Sequence, residues 1–234
     1  MENPEILKPY KGTPKILVAT DCIVFGFDQG VLKLLVFKRR VDPLSGEWSL
    51  IGSFVEKNES ITDAARRVLL KFTGLENIFL EELRTYSEVD RDPGGRCICI
   101  AQYALIRISD YDRGQVQKYG ARWFSFDELP NLVLDHNEMV AEALERVREK
   151  ARHRPIGFEL LPEKFTIPQL QKLYEAIYQR PLDDRNFRKK LLSFGLLIKL
   201  DEKDRSGSKK GAFFYRFDHE KYAKLEESGF DFEI

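Results

Sequence analysis

The run Arg152-His153-Arg154-Pro155, with Gly157 just behind it, parts two stretches whose apolar residues repeat with different periods. Proline disfavours helix at the residue before it and cannot continue one, so a helix that reaches this point must stop. Upstream, short apolar runs recur: KILVATDCIVFGF, VLKLLVFKRR, EWSLIGSFV, RCICIAQYALIRI and ARWFSF, separated by the turn clusters FDQG, DPLSG and DRDPGG. These read as strands. Two segments of helical period interrupt them. In one, Ser60 precedes Ile61, Ala64, Ala65, Val68 and Phe72, which share one helix face. The other is the charged stretch DHNEMVAEALERVREKAR, residues 135–152, which runs into the break. Strands and helices together predict an α+β fold, with one domain over residues 1–154 and a second over 155–234.

The second domain has its own order. KFTIPQLQKLYEAIY sets Thr166 three residues before Gln169, the pairing of a capping box, with Ile167, Leu170, Leu173, Tyr174 and Ile177 at helical spacing. QRPL makes a short turn. In DDRNFRKKLLSFG, Asp183 is a candidate N-cap and Gly195 a C-terminal stop. LLIKLD and AFFYRFD then read as strands around the polar tip EKDRSGSKKG. Helix, tight turn, helix and hairpin predict a winged helix-turn-helix. On its second helix Phe187, Leu191 and Phe194 fall on one side, and Arg185, Asn186 and Lys189 on the other, with Arg188 on the flank. Arg and Lys fork to guanine edges or clamp phosphates, and Asn pairs with adenine, so this face suits the major groove of double-stranded DNA. Arg205, Ser206, Lys209 and Lys210 at the tip are candidates for the backbone. An exposed charge run is ordinarily a solvated face. Here residues 180–216 carry 11 cations against 5 acids in a chain whose 38 cations and 38 acids cancel.

Cys22, Cys97 and Cys99 are odd in number and lie in apolar runs, so they predict buried small hydrophobes rather than disulfides or a metal cage. The opening MENPEILKPYKGTPK lacks the basic and apolar regions of a signal peptide, and no apolar run approaches the ~18 residues of a membrane span. The expectation is a cytoplasmic protein with no membrane partner. The apolar strand near residues 97–106 is a candidate dimer surface.

Residues 52–75, GSFVEKNESITDAARRVLLKFTGL, resemble a Nudix box, G-x5-E-x7-R-E-U-x-E-E-x-G-U with U a bulky aliphatic. Glu59 matches its first glutamate, Arg67 its arginine, Leu69 its aliphatic position, and Gly74-Leu75 its ending. The box glycine is Ser53. The three acids that would hold a divalent metal fall on Val68, Lys71 and Phe72. A lysine there replaces attraction by repulsion of a few kcal/mol at an effective dielectric of ~20. The expectation is no metal and no catalytic residues, with Glu59 pairing Arg67.

Through the box remnant, ARWFSFDELPNLVLDHNEM and FTIPQLQKLYEAIYQRPLDDRNFRKKLLSFGLL, nearly the whole chain is similar to the Nudix-related transcriptional regulators of bacteria. That resemblance implies a Nudix-like α/β/α sandwich with a mixed sheet, a winged helix on palindromic operator DNA, a homodimer and a small-molecule effector. In one branch the effector is ADP-ribose-like; in another, of Bacteroides type, it is a pentose such as L-arabinose. With the metal acids gone the sugar is expected, bound to a repressor by Asp21, Lys38, Trp48, Glu56, Arg96 and His136. Trp48 reads equally well as core and His136 as a helix start. Lys38, Arg39 and Arg40 keep ADP-ribose open as the alternative. A working pyrophosphohydrolase with an accessory DNA module, and a protein-interaction module with a basic tail, are the other readings.

Overall fold

The computed structural model describes residues 12–111, 113–206, 209–230 and 232; most of the opening segment MENPEILKPYKGTPK and two residues of the wing tip lie outside them. The first half is built on one long strand, β1 (Leu17–Asp28), which alternates between two interiors. Along one edge it pairs in parallel with β6 (Cys97–Arg107) over its length. The other edge is shared: β2 (Val31–Lys38) takes Val24 to Asp28, and β4 (Ile51–Phe54) takes Ala19 to Cys22, both antiparallel. Beyond β2 lie β3 (Trp48–Ser49) and β7 (Ala121–Ser125), and beyond β6 lies β5 (Glu81–Tyr86). The sheet is mixed, as expected.

Period-two alternation decides which helices cover which face. Cys22, Val24, Leu35 and Ala104 pack with Ala65, Val68 and Leu69 of α1 (Ile61–Thr73), and with Val116 of the short α2 (Arg113–Lys118). Ile23, Phe25, Leu34, Cys99 and Ala101 face the other way, towards Met139, Ala143 and Val147 of α3 (His136–His153). The result is an α/β/α sandwich. All three cysteines are buried and free. The apolar run at 97–106 is not an exposed dimer surface: β6 lies between β1 and β5, and Cys97, Cys99, Ala101, Tyr103 and Ala104 are buried. A central strand covered on both faces reads as continuous apolar sequence.

The second half follows its sequence closely. A two-residue strand β8 (Phe165–Thr166) leads into α4 (Ile167–Tyr178), whose capping box is formed in both directions between Thr166 and Gln169. Helix α5 (Asp184–Ser193) starts on the Asp183 side chain, which accepts from the Asn186 N–H, and ends before Gly195 in the left-handed region. Phe187 and Leu191 anchor it; burying each contributes about 1.5–3 kcal/mol relative to exposure. Strands β9 (Leu197–Asp204) and β10 (Ala212–Phe217) form the wing, with β10 between β8 and β9. A last helix, α6 (His219–Glu227), buries no residue.

The two halves share an interior. Leu170, Leu173 and Tyr174 of α4 belong to the same buried cluster as Phe25, Leu34 and α3. Arg148 of α3 donates to the Ile177 carbonyl at 3.1 Å, Phe232 N–H to the His153 carbonyl at 3.3 Å, and the Lys172 side chain lies against the turn at Gly30.

Candidate functional site

The box segment keeps its frame. Ser60 caps α1 by accepting from the Asp63 N–H at 3.1 Å, and Gly74 ends it with φ +71° and its N–H on the Leu70 carbonyl. Between these caps Arg67 donates to Glu59 at 2.9 Å through Nε and 2.6 Å through Nη2, and from Nη2 to the Phe54 carbonyl. The Glu56 N–H donates to Glu59 at 2.7 Å, and the Glu56 carboxylate lies 3.6 Å from Arg67. The hydrogen bonds from Arg67, with that from Glu56, hold the Glu59 carboxyl down to about 2. Its oxygens are thus committed to the loop.

The positions of the other acids do not suit a divalent metal. Val68 is fully buried, Phe72 packs on the same core, and Lys71 lies exposed with its ammonium over the Phe72 ring. Among the described residues no group of three or more His, Cys, Asp or Glu is placed to hold a metal ion. Hard oxygen ligands are what Mg²⁺ requires, so the residues present do not fit it.

The six residues expected to hold the effector fall in separate places. Asp21 and His136 are buried together. The Leu50 N–H donates to His136 Nδ1 at 3.2 Å, which places the ring proton on Nε2, 3.6 Å from Asp21 Oδ2. Cys99 Sγ donates to the same oxygen at 3.0 Å. Burial alone would raise the Asp21 carboxyl, but His136, Cys99 and the Arg91 charge outweigh it and hold it below the usual range. Asp21 also faces Gly52 across the strands: a Cβ there would lie 1.8 Å from its Oδ1, so glycine is required. Arg91 closes the cluster by gripping Asp135 at 2.7 and 2.8 Å. The Asp21 and His136 side chains are thus occupied by interior partners. Glu56 belongs to the box loop, and Arg96 donates to the carbonyls of Glu88 and Cys97.

Lys38 and Trp48 do come together, in a cleft of about 870 Å³ at the edge of the sheet. The Lys38 ammonium lies 5.3 Å and the Arg122 guanidinium 6.0 Å from the Trp48 ring centre, with Phe124 edge-on to the same ring at 5.0 Å. Arg39 and Arg40 line the cleft too, steadied by the carbonyls of Pro43 and Tyr119. Arg122 and Phe124 were hidden inside ARWFSF, which reads as an ordinary strand. Their two-residue spacing, which sets both on one side of β7, was the available signal.

In the second half Arg185, Asn186, Arg188 and Lys189 are all exposed along α5, opposite Phe187 and Leu191. Arg205, Ser206, Lys209 and Lys210 are exposed at the wing tip, where the Ser206 N–H donates to Asp204 at 2.8 Å.

Comparison with known proteins matches residues 15–143 to the NUDIX domain and residues 157–217 to the NrtR DNA-binding winged helix domain. Over 208 residues the chain is 30% identical to the ADPR responsive transcriptional repressor NtrR of Acinetobacter baylyi, covering 87% of this chain and 83% of that one. Over 110 residues it is 33% identical to the ADP-ribose pyrophosphatase of Methanocaldococcus jannaschii, covering 47% of this chain and 64% of that one. Among solved structures, Shewanella oneidensis NrtR complexed with a 27mer DNA superimposes with a TM-score of 0.73 at 25% identity, over 92% of this chain and 97% of that one. The chain therefore belongs to the Nudix-domain proteins that carry an NrtR-type DNA-binding winged helix.

Proposed function

We propose that the protein is a transcriptional repressor that reads operator DNA through α5 and the wing, and is released from it by ADP-ribose or a closely related nucleoside diphosphate bound in the sensor half. The observation that carries the effector is the set of cations around Trp48. A diphosphate needs its charge neutralised and a base or ribose needs a flat apolar wall; Lys38, Arg39, Arg40 and Arg122 supply the first and Trp48 the second. The pentose reading rested on the lost metal acids, and it loses that support here, because cations in the cleft do for a diphosphate what a metal would. Both curated relatives are named for ADP-ribose, and neither for a sugar.

Hydrolysis is not part of this reading. The box acids are replaced by a core valine, an exposed lysine and a packed phenylalanine, and Glu59 is held by Arg67. What remains is binding and its consequence for DNA. A ligand shifts the reader only through unequal affinity for two arrangements of the chain; a coupling of ~1–3 kcal/mol changes DNA affinity 5- to 150-fold. A connection exists for it. Trp48 is tied to the start of α3 by the Val133 N–H on its carbonyl, Leu50 is tied to His136, and the far end of α3 holds α4 through Arg148. The reading extends to a homodimer on a palindromic site in the cytoplasm, where the DNA lies; no described helix is long and apolar enough to cross a membrane.

The test is a gel shift on a duplex selected by the protein from a random-sequence pool, with ADP-ribose, L-arabinose or xylose added. ADP-ribose is expected to weaken the complex within the stated range, and the pentoses to leave it unchanged. An effect of arabinose alone would return the function to the sugar branch, and turnover of ADP-ribose by the pure protein would make it a hydrolase.

A further inference from the structure

The helix α5 is fastened at both ends. At its start, Gln171 of α4 donates to the Asp184 carboxylate at 2.7 Å and to the Leu182 carbonyl at 3.2 Å, and the Phe187 ring centre lies 5.6 Å from that of Tyr174. At its end, Phe194 meets two rings that come from beyond α6. Gly229, in the left-handed region, turns the chain back at the close of α6, and the Phe230 N–H donates to the Leu225 carbonyl at 3.0 Å. The Phe230 ring then stands edge-on to Phe194 at 5.7 Å, and the Phe232 ring lies tilted against it at 4.6 Å.

Phe232 also reaches the sensor half. Its N–H donates to the carbonyl of His153, the last residue of α3, at 3.3 Å, its ring centre is 6.4 Å from that of Tyr174, and it is 1% exposed. One residue therefore touches α3, α4 and the end of α5. A buried phenylalanine is ordinarily packing and nothing more. Two observations set this one apart. It stands between the last residue of a helix whose start is tied to Trp48 through Val133, and the end of the helix that reads DNA. The second observation is its surroundings: the hydroxyls of Tyr174 and of its neighbour Tyr178 are buried with no hydrogen-bond partner among the described residues. An unmet buried hydroxyl is costly, so this junction is short of its best packing, and a second arrangement of similar energy lies within reach.

We propose that Phe232, assisted by Phe230, is a positioning residue that clasps the end of α5 to the end of α3, so that a movement of α3 on effector binding carries the DNA-reading helix with it. A helix pinned only at its start, through α4, would pivot when its support shifts; pinned at both ends it must follow. This rests on the repressor reading above. The clasp sets how strongly the effector is felt at the DNA, not how tightly either is bound.

The experiment uses the full chain and the duplex it selects from a random-sequence pool. The quantity read is the ratio of dissociation constants for that duplex with saturating ADP-ribose and without it, for the wild type, Phe232→Ala, Phe232→Leu, Phe230→Ala and Ile78→Ala. Calorimetric ADP-ribose binding and urea midpoints accompany each. The wild-type ratio is expected to be about 5- to 150-fold. Phe232→Ala is expected to bring it close to unity with ADP-ribose affinity unchanged, Phe230→Ala to lower it part of the way, and Phe232→Leu, which refills the site, to recover most of it. Ile78→Ala opens the interior under α1, in the other buried cluster, and is expected to lower the urea midpoint while keeping the wild-type ratio. A purely packing role for Phe232 gives a lower midpoint with the ratio unchanged. That result in folded Phe232→Ala overturns the clasp; should this variant not fold, an unchanged ratio in Phe230→Ala, whose ring is only half-buried, does the same. An equal fall in Ile78→Ala overturns it too. A wild-type complex indifferent to ADP-ribose overturns the effector reading itself, and the clasp with it.

Discussion

Phe72 lies stacked on Phe37, ring centres 5.3 Å apart and planes 26° from parallel, at a position where a Nudix box sets a metal-binding carboxylate. That position is here part of the packing between α1 and the sheet. Restoring the box acids should therefore fail for a structural reason before a chemical one. Val68→Glu puts a carboxyl at a site with no solvent exposure, among Cys22, Val24 and Leu69. It is expected to cost ~3–5 kcal/mol, read as a lower urea midpoint, and to leave ADP-ribose unhydrolysed.

The Glu59–Arg67 pair has a pH signature. Its folded carboxyl sits at about 2, below the ~4.3 of an unperturbed glutamate, so its stabilisation is full above the unfolded value and disappears as pH falls through the folded one. Urea midpoints of the wild type and Glu59→Gln should differ at pH 6, differ less at pH 3 and converge near pH 2. A difference that persists unchanged at pH 2 contradicts the assignment. The pair is at the surface, so the effect is small.

Arg91 and Asp135 join the loop after β5 to the start of α3, with the Arg91 side chain only 3% exposed. Asp135→Ala leaves the buried Arg91 guanidinium without its hydrogen-bonded carboxylate, with only the Asp21 charge near it, and is expected to destabilise by ~3 kcal/mol; adding Arg91→Met should recover part of that loss. Calorimetric unfolding of the two single variants and the double variant measures the coupling.

Sensing and reading should separate by mutation. Arg122→Ala is expected to weaken ADP-ribose binding by ~1.5–3 kcal/mol, the worth of a hydrogen bond to a charged group, with DNA affinity in the absence of ligand unchanged. Asn186→Ala should cost ~1–3 kcal/mol on the selected duplex and relax its preference, with calorimetric ADP-ribose binding untouched. If either variant loses both activities, the division of labour between the halves is wrong.

Where local chemistry alone decides structure, the sequence was readable. Ser60, Thr166 and Asp183 cap the helices they precede, and the turn-and-hairpin grammar of the winged helix carried through to β9 and β10. Strand β5 was not readable, because EELRTY is largely polar and exposed; its form comes from pairing with β6 and from Arg84 and Tyr86 bonding Glu142. Helix α6 was missed for a similar reason: HEKYAKLEE buries nothing, and its cap on Asp218 is the only local sign. EWSLIGSFV reads as one strand but is broken at Leu50, whose N–H goes to His136, a partner 86 residues away. The cleft at Trp48 was the least readable. Its residues come from β2, β3 and β7, and only tertiary pairing sets Arg122 beside Trp48.

The buried cluster that runs from Phe25 through Tyr174 to Phe232 also limits how the reader can move. A winged helix hung on a loose tether would swing freely, and ligand would act by restricting the swing. Here α4 is wedged against the sheet and α3, so the reader cannot turn without disturbing side chains of the sensor. Cut between residues 154 and 155, each fragment would carry a raw oily flank into water.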